Sequence, residues 1–460
     1  MEKYKKNYDV IILGGGTSGC SCAWNCARLG LKTLLLEKNN FLGGAITSQL
    51  VIPAMKTDHK NFNTIFYEEL CKNAKAKNAQ ITYIDGNPGW FNPLKLATIL
   101  YDMLVEVGCD VVLNSKIDKI EDKTCYDTKY INKIFGKTKV LSLYVDTKDS
   151  NNININKYVA TKYIDNASCN KKTQIKKFNA KFFVDATGDA NLCELLNAKF
   201  LPKENSQALS MRFIMDKVDK KAFSSWIANF DTNRNVTTTA IIDGETHFST
   251  ACTWDLNSNW ALKPLFDKAV SEGVLKDTDR AYFQIFSIAG ENDKVAFNCP
   301  RIMTNVELNP LNSKDVNEAK TIAQSAIKRI ALFCNVYLKG FEQAKVFKIA
   351  HELGVRESRR VKGKYILTKE DIYKAKKFRK NVAYSNYPID IHSIKRDNSV
   401  LEYVQKTYSI PLDSLIVDGF ENLFVIGRCI SADFYAQAAI RIQPTCFSMG
   451  EGLAKHLKLL

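Results

Sequence analysis

Apolar residues fall along this chain in short runs divided by turn-forming stretches. Residues 10–13 (VIIL) and 33–36 (TLLL) are nearly continuous apolar tetrads, the pattern of parallel strands covered on both faces. Between them lies a 3.6-periodic segment, so the first 40 residues predict strand, helix, strand. The periodicity predicts further amphipathic helices over 61–77 and 93–107, the second passing through Gly108 into a short strand at 110–113. Alternating segments at 116–120, 140–146 and 158–164 are separated by polar turns and predict an antiparallel β-meander over 116–177, extended by an Asn/Lys-rich surface loop at 147–157. A buried strand follows at 181–185. About 200 residues of mixed pattern come next, including a long helical stretch at 315–340. A last strand is expected at 422–426, with a helix from Pro444 onward.

The turns between these elements carry the chemistry. Gly14, Gly16 and Gly19 form G-x-G-x-x-G directly after the first strand, and Glu37 ends the second, 18 residues past Gly19. In that context the glycines allow a tight turn, close approach of a pyrophosphate and close helix–strand packing. The helix start, with Thr17 and Ser18, offers free N–H groups to phosphate, and Glu37 accepts from the ribose hydroxyls. A carboxylate there repels a 2′-phosphate, favouring FAD or NAD over NADP. Cys20, Cys22 and Cys26 crowd the same helix. No C-x-x-C occurs among the 13 cysteines and no histidine completes a set, so these thiols read as small core residues and no metal is expected.

Composition adds little. The 460 residues carry a formal charge of +16, with 52 of the 65 basic residues lysine, scattered and not striped. That argues for a solvated basic surface, with attraction of an anionic substrate as the sharper reading and no specific nucleic-acid partner. There is no apolar run near 18 residues and no apolar leader before the first strand, so the expected location is the cytoplasm, with reduced thiols and no membrane partner.

Taken in order, GGGTSGCSCA, Glu37 with Gly43-Gly44, VDATGDA at 184–190, GVRESRR at 354–360, YPIDIH at 387–392, NLFVIGRCIS at 422–431 and RIQPTCFSMGEG at 441–452 make the chain resemble the FAD-dependent oxidoreductases of glutathione-reductase-type fold. The resemblance covers nearly the whole chain. It implies an α/β protein whose Rossmann-like FAD-binding domain is assembled from residues 1–58, 92–200 and 408–460, with the meander inserted at 116–177. Residues 59–91 and 201–407 would form a mixed α/β substrate or cap domain. It further implies an FAD site made by Gly14, Gly16, Thr17, Ser18, Gly19, Glu37, Lys38, Gly43, Gly44, Thr187, Gly188, Asp189, Gly427 and Arg428, with Arg428 free to meet phosphate bidentately. The last helix would aim its N-terminus at the flavin. It departs from the family's Gly-Gln-Ala-Ala-type run by carrying Gly450-Glu451-Gly452-Leu453, and a glutamate at a flavin edge would oppose negative charge.

For catalysis the choices are His392 as general acid/base, Arg441 facing the flavin ring, and Arg356 as an anion clamp. If the segment is extended, Arg356, Ser358 and Arg360 face one way. Structural roles for His392 and an ion-pair network for the arginines remain open beside these. Cys446, in the first turn of the last helix, sits where a thiolate would be stabilised. The expected function is hydride transfer between flavin and a small, anionic substrate. No second G-x-G-x-x-G follows a strand, so a separate electron donor or acceptor is expected. A tRNA-modifying flavoenzyme and a non-catalytic FAD-binding sensor or scaffold are the alternatives; oligomeric state is left open.

Overall fold

The computed structural model describes residues 7–126, 136–147, 174–252, 260–394 and 400–460. Its first sheet contains β1 (Asn7–Leu13), β2 (Thr33–Leu36), β5 (Asp110–Val112), β6 (Ser115–Tyr126), β7 (Gly136–Thr147), β8 (Gln174–Asp185) and β19 (Leu423–Val425). The order is β5-β2-β1-β8-β7-β6, with β19 also on β8. β1 lies parallel to both β2 and β8, and every β2 side chain is buried, which is why these runs are apolar without alternation.

β8 belongs to two patterns at once. Its first half pairs antiparallel with β7 (Thr147 opposite Gln174, Ser142 opposite Asn179), and its end pairs parallel with β19 (Phe183 opposite Leu423). The meander thus shares the nucleotide sheet: its third strand runs on into the parallel part. The 158–164 segment expected to be that strand lies outside the described residues.

The second sheet is wholly antiparallel, in the order β10-β11-β12-β13-β9-β14. Its strands are β9 (Phe213–Asp216), β10 (Thr237–Ile242), β11 (Glu245–Cys252), β12 (Phe283–Ser287), β13 (Val295–Phe297) and β14 (Lys345–Ile349). Two-stranded pairs complete the strands: β3 (Gln80–Ile81) with β4 (Trp90–Phe91), β15 (Asn381–Ser385) with β18 (Tyr408–Pro411), and β16 (Ile389–Ile391) with β17 (Val400–Glu402).

Ten α-helices are formed by the described residues: α1 (Thr17–Arg28), α2 (Ile65–Ala76), α3 (Leu96–Glu106), α4 (Asn191–Leu195), α5 (Lys220–Phe230), α6 (Lys263–Ser271), α7 (Ser313–Tyr337), α8 (Lys369–Tyr373), α9 (Phe434–Ile440) and α10 (Gln443–Leu459). α7 shows why these segments are helical. Asn312 caps its start by accepting from Lys314 N and Asp315 N, and Ala319, Ala323, Ala326, Ile327, Ile330 and Cys334 recur at 3–4-residue spacing to bury one face.

The helix contact that shapes the nucleotide end is α1 on α10. A Cβ on Gly450 would lie 2.4 Å from Ser18 O and 2.8 Å from Cys22 N, so only glycine permits this crossing. Ser21 Oγ donates to Phe447 O at 2.7 Å across it. Cys22 and Cys26, buried with sulfurs 4.0 Å apart, fill core space on α1.

Candidate cofactor and substrate site

One cleft of about 560 Å³ runs from the glycine turn after β1 to the ends of the second sheet. At the first end Gly14 turns with φ +98°, and a Cβ there would meet Ala186 O at 2.5 Å. Gly16 precedes α1 without any side-chain cap, leaving first-turn N–H groups directed at the cleft. Glu37 is buried at the end of β2, its two oxygens accepting from Gly15 N (2.6 Å) and Asn39 N (2.8 Å). Burial raises its carboxyl above the ordinary range, and these two backbone donors oppose that rise.

A second loop leans on the first: Gly43 N donates to Gly15 O at 2.8 Å, and a Cβ on Gly44 would lie 2.7 Å from Gly16 Cα. A third strand end adds Thr187, Gly188 and Asp189. Thr187 closes its own turn by donating from N and Oγ1 to Asp185 Oδ1. Arg428 pairs with Asp189 at 2.5 Å, and Ser358 Oγ donates to the same oxygen at 2.7 Å. Burial penalises both charges, yet their attraction wins: Asp189 lies below its usual range and Arg428 above.

The other end is built by strand continuations. Before β9, Ser210 bridges to Arg301, beyond β13, and to Gly354, beyond β14. Three neighbouring strands thereby bring Arg212, Arg301 and Arg356 together. Arg441 joins them from the end of α9, and Asp390 and His392 come from β16 and the residue after it. Arg356 donates to Ala208 O (2.8 Å) and Ser210 Oγ (3.3 Å). Arg441 reaches Asp390 O at 2.8 Å and lies 3.6 Å from its carboxylate. Arg301 lies over the Tyr282 ring at 4.7 Å.

His392 is held at both nitrogens. Arg301 can only donate, so Nδ1 accepts its bond (2.7 Å) and Nε2–H donates to Asp390 (3.1 Å). Burial, then Arg356, pushes the imidazole down to about 3, so it is neutral at pH 7. Burial alone would raise Asp390, but His392, Arg441 and Arg356 bring it well below the usual carboxylate range. Burial lowers Arg212 to about 10 and Arg356 well below its ordinary value, the neighbouring arginines adding to the latter.

The family model described as FAD dependent oxidoreductase matches residues 9–457. The chain belongs to that family. Its cofactor is FAD. Among relatives, mitochondrial glycerol-3-phosphate dehydrogenase of Rattus norvegicus is 27% identical over 96 residues, 20% of this chain and 13% of that protein. Thiamine thiazole synthase of Aeropyrum pernix is 45% identical over 46 residues, 10% of this chain and 17% of that protein. The chain thus matches less than a fifth of the length of either relative. A geranylgeranyl bacteriochlorophyll reductase-like protein from Thermoplasma acidophilum superposes over 99% of this chain and 78% of its own, with TM-score 0.42 and 13% identity.

The residues present fit FAD. The uncapped α1 start and bare Gly16 suit the pyrophosphate, buried Glu37 suits the ribose, and the cleft continues past Gln443 and Cys446 at the start of α10. Thr17, Ser18, Lys38, Gly44, Gly427 and the other expected contacts line this cleft, with two exceptions. Gly19 faces inward, where a Cβ would stand 1.8 Å from Gly14 O, and Gly43 closes its turn against Thr47.

Other expected residues are engaged by neighbouring protein groups. Lys38 lines the cleft but pairs with Glu352 at 2.7 Å. Arg428 lines the cleft with its NH2 engaged by Asp189 and its Nε without a partner among the described residues. Arg356 and Arg360 do not form one clamp: Arg360 is sealed beneath the surface against Pro202 O, Ala432 O and Glu204. Glu451 does not meet the flavin edge; fully buried, it accepts from Phe66 N at the start of α2 and from Lys455 Nζ. Cys446 is a neutral thiol, pushed up to about 11 by burial. Sequence reasoning missed Arg212, Arg301 and Tyr282. Arg212 left a legible signal, a lone charge inside the apolar run LSMRFIM.

Proposed function

We propose that the protein transfers hydride between FAD and a small anionic substrate held by Arg212, Arg356 and Arg441. The observation that supports it is one cleft with a dinucleotide cradle at one end and Arg212, Arg356, Arg441 and Asp390 lining the other. Bound flavin supplies the two-electron chemistry. The arginines bind and orient the substrate in a site largely withdrawn from water, where charge-assisted hydrogen bonds are strongest. His392 acts as a positioning group that fixes Arg301 and Asp390. This revises its role as acid/base, since the lone pair of Nδ1 is occupied by Arg301. Tyr282, pushed up to about 12 by burial against the opposing arginines, holds its proton at neutral pH and faces the cleft as the group able to deliver it.

The reading includes a separate electron donor or acceptor, and a cytoplasmic protein with neither a membrane nor a nucleic-acid partner. Among the described residues, no helix is long and apolar enough to cross a membrane.

Anaerobic mixing of the FAD-loaded protein with anionic and neutral metabolites tests the proposal by bleaching of the flavin band. Arg356→Gln and Arg441→Gln should keep FAD while weakening the active substrate by about 100-fold. Protein that never retains flavin, or variants that reduce normally, would overturn it.

A further inference from the structure

We infer that the substrate carries two negative charges, as a dicarboxylate or a phosphate monoester, and that Arg212 selects it over monoanions. This rests on the arginine end being the substrate site. Among the described residues, Arg212, Arg301, Arg356 and Arg441 bring four positive charges, all four largely buried. Asp390 brings one negative charge, and the bonds to Arg301 and Asp390 keep His392 neutral. A monoanion would leave a surplus of two in a buried site, and a dianion leaves one. The arginines act on one another: Arg212, Arg441 and Arg301 all oppose the charge on Arg356, and Arg441 opposes that on Arg212.

The hydrogen-bond donors at this end also outnumber the acceptors of one carboxylate. A guanidinium presents five N–H groups in a planar fork, and one carboxylate satisfies one fork bidentately. Arg212 is 6% exposed and lines the cleft, yet among the described residues its side chain makes only a long bond to Ser210 Oγ, 3.4 Å from NH1. Its Nε, the Nε of Arg441 and Nε2 of neighbouring Gln207 are buried without a hydrogen-bond partner among the described residues. Gln207 spends its oxygen on Arg441 (3.4 Å) and on His392 N (3.3 Å), which leaves its Nε2 without an acceptor. Three arginines line the cleft here, more forks than one carboxylate can meet. A second anionic group, or the three terminal oxygens of a phosphate monoester, supplies the missing acceptors.

The test is calorimetric binding to the FAD-loaded, oxidised protein, which needs no turnover. One arm compares malonate, succinate and glutarate with succinamate; the other compares ethyl phosphate with diethyl phosphate. In at least one arm the dianion should bind about 30-fold tighter than its matched monoanion. The arm that shows it identifies the anionic group, and among diacids the best chain length reports the spacing of the forks. Arg212→Gln should reduce the preference to about 3-fold or less with the flavin spectrum unchanged. The wild-type comparison stands even if that variant does not fold. Equal affinity for dianions and monoanions in both arms, or flavin-loaded protein that binds none of these anions, would overturn the inference. Protein without flavin would instead overturn the function on which it rests.

Discussion

Replacing His392 by glutamine separates a positioning imidazole from a catalytic one. In the folded protein this ring titrates at about 3, against 6.5 when free of its surroundings. A lowered histidine value means that the unfolded chain binds more protons between pH 6.5 and 3. Stability therefore rises with pH across that window and is lost on acidification. Each unit below 6.5 removes about 1.4 kcal/mol, so moving from pH 7 to pH 5 costs about 2 kcal/mol at this residue. Asp390, far below its usual range, stays ionised at pH 5, and His247, pushed down to about 4 by burial, acts in the same direction in both proteins. Asp390 keeps Arg441 and Arg356 beside it in the variant, so the difference between the two proteins reports the His392–Asp390 pair. Urea unfolding at the two pH values should show the variant losing about 2 kcal/mol less on the acid step. Glutamine can still accept from Arg301 and donate to Asp390, so substrate-driven flavin reduction should fall by less than about tenfold, against about 10²–10⁴-fold for a lost proton-transfer group. Equal acid losses in the two proteins would refute the buried, neutral assignment. A thousand-fold slower reduction with FAD retained would restore the catalytic one.

Two neighbouring glycines should answer differently to alanine. Gly16→Ala meets only Gly44 Cα, at 3.8 Å, and should yield folded protein with weakened FAD retention, whereas Gly19→Ala drives a methyl to 1.8 Å from Gly14 O and should lower stability by about 3 kcal/mol or more, read as melting temperature and soluble yield. Glu451→Ala removes the acceptor at the start of α2 and should cost about 1–2 kcal/mol in urea unfolding while leaving the flavin potential unmoved, and a shifted potential would place the glutamate back at the cofactor.

The nucleotide end was legible because its parts are local. Gly14, Gly16, Gly19 and Glu37 lie within one strand–helix–strand unit, and backbone geometry forces their spacing. The arginine end was half legible. Arg356 and Arg441 stand in recognisable motifs, but Arg212 and Arg301 are joined to Arg356 only through antiparallel register between strands far apart in the chain, and no local period encodes that register. Extended alternation also failed between residues 356 and 360, because the segment is irregular and turns Arg360 into the protein. Glu451 was misplaced for a related reason. On a helix, one residue's step of 100° decides between the cofactor and a neighbouring helix, and the glycines on either side of it show where α10 is crowded: Gly450 faces α1 and Gly452 faces Val382.

The crossing of α1 and α10 also sets a schedule for the newborn chain. Ser21 and Phe447, bonded across it, are 426 positions apart. At cellular rates of synthesis that separation is roughly 20–85 s of elongation, during which α1 has left the ribosome without the helix that covers Ser18 and Cys22. The glycine turn and Glu37 are made about 390 residues before Gly427, Arg428 and the start of α10, which form the opposite wall of the cleft. A cleft lined on all its sides therefore exists only once that wall has been made, and a chain truncated before it exposes the α1 face that α10 covers.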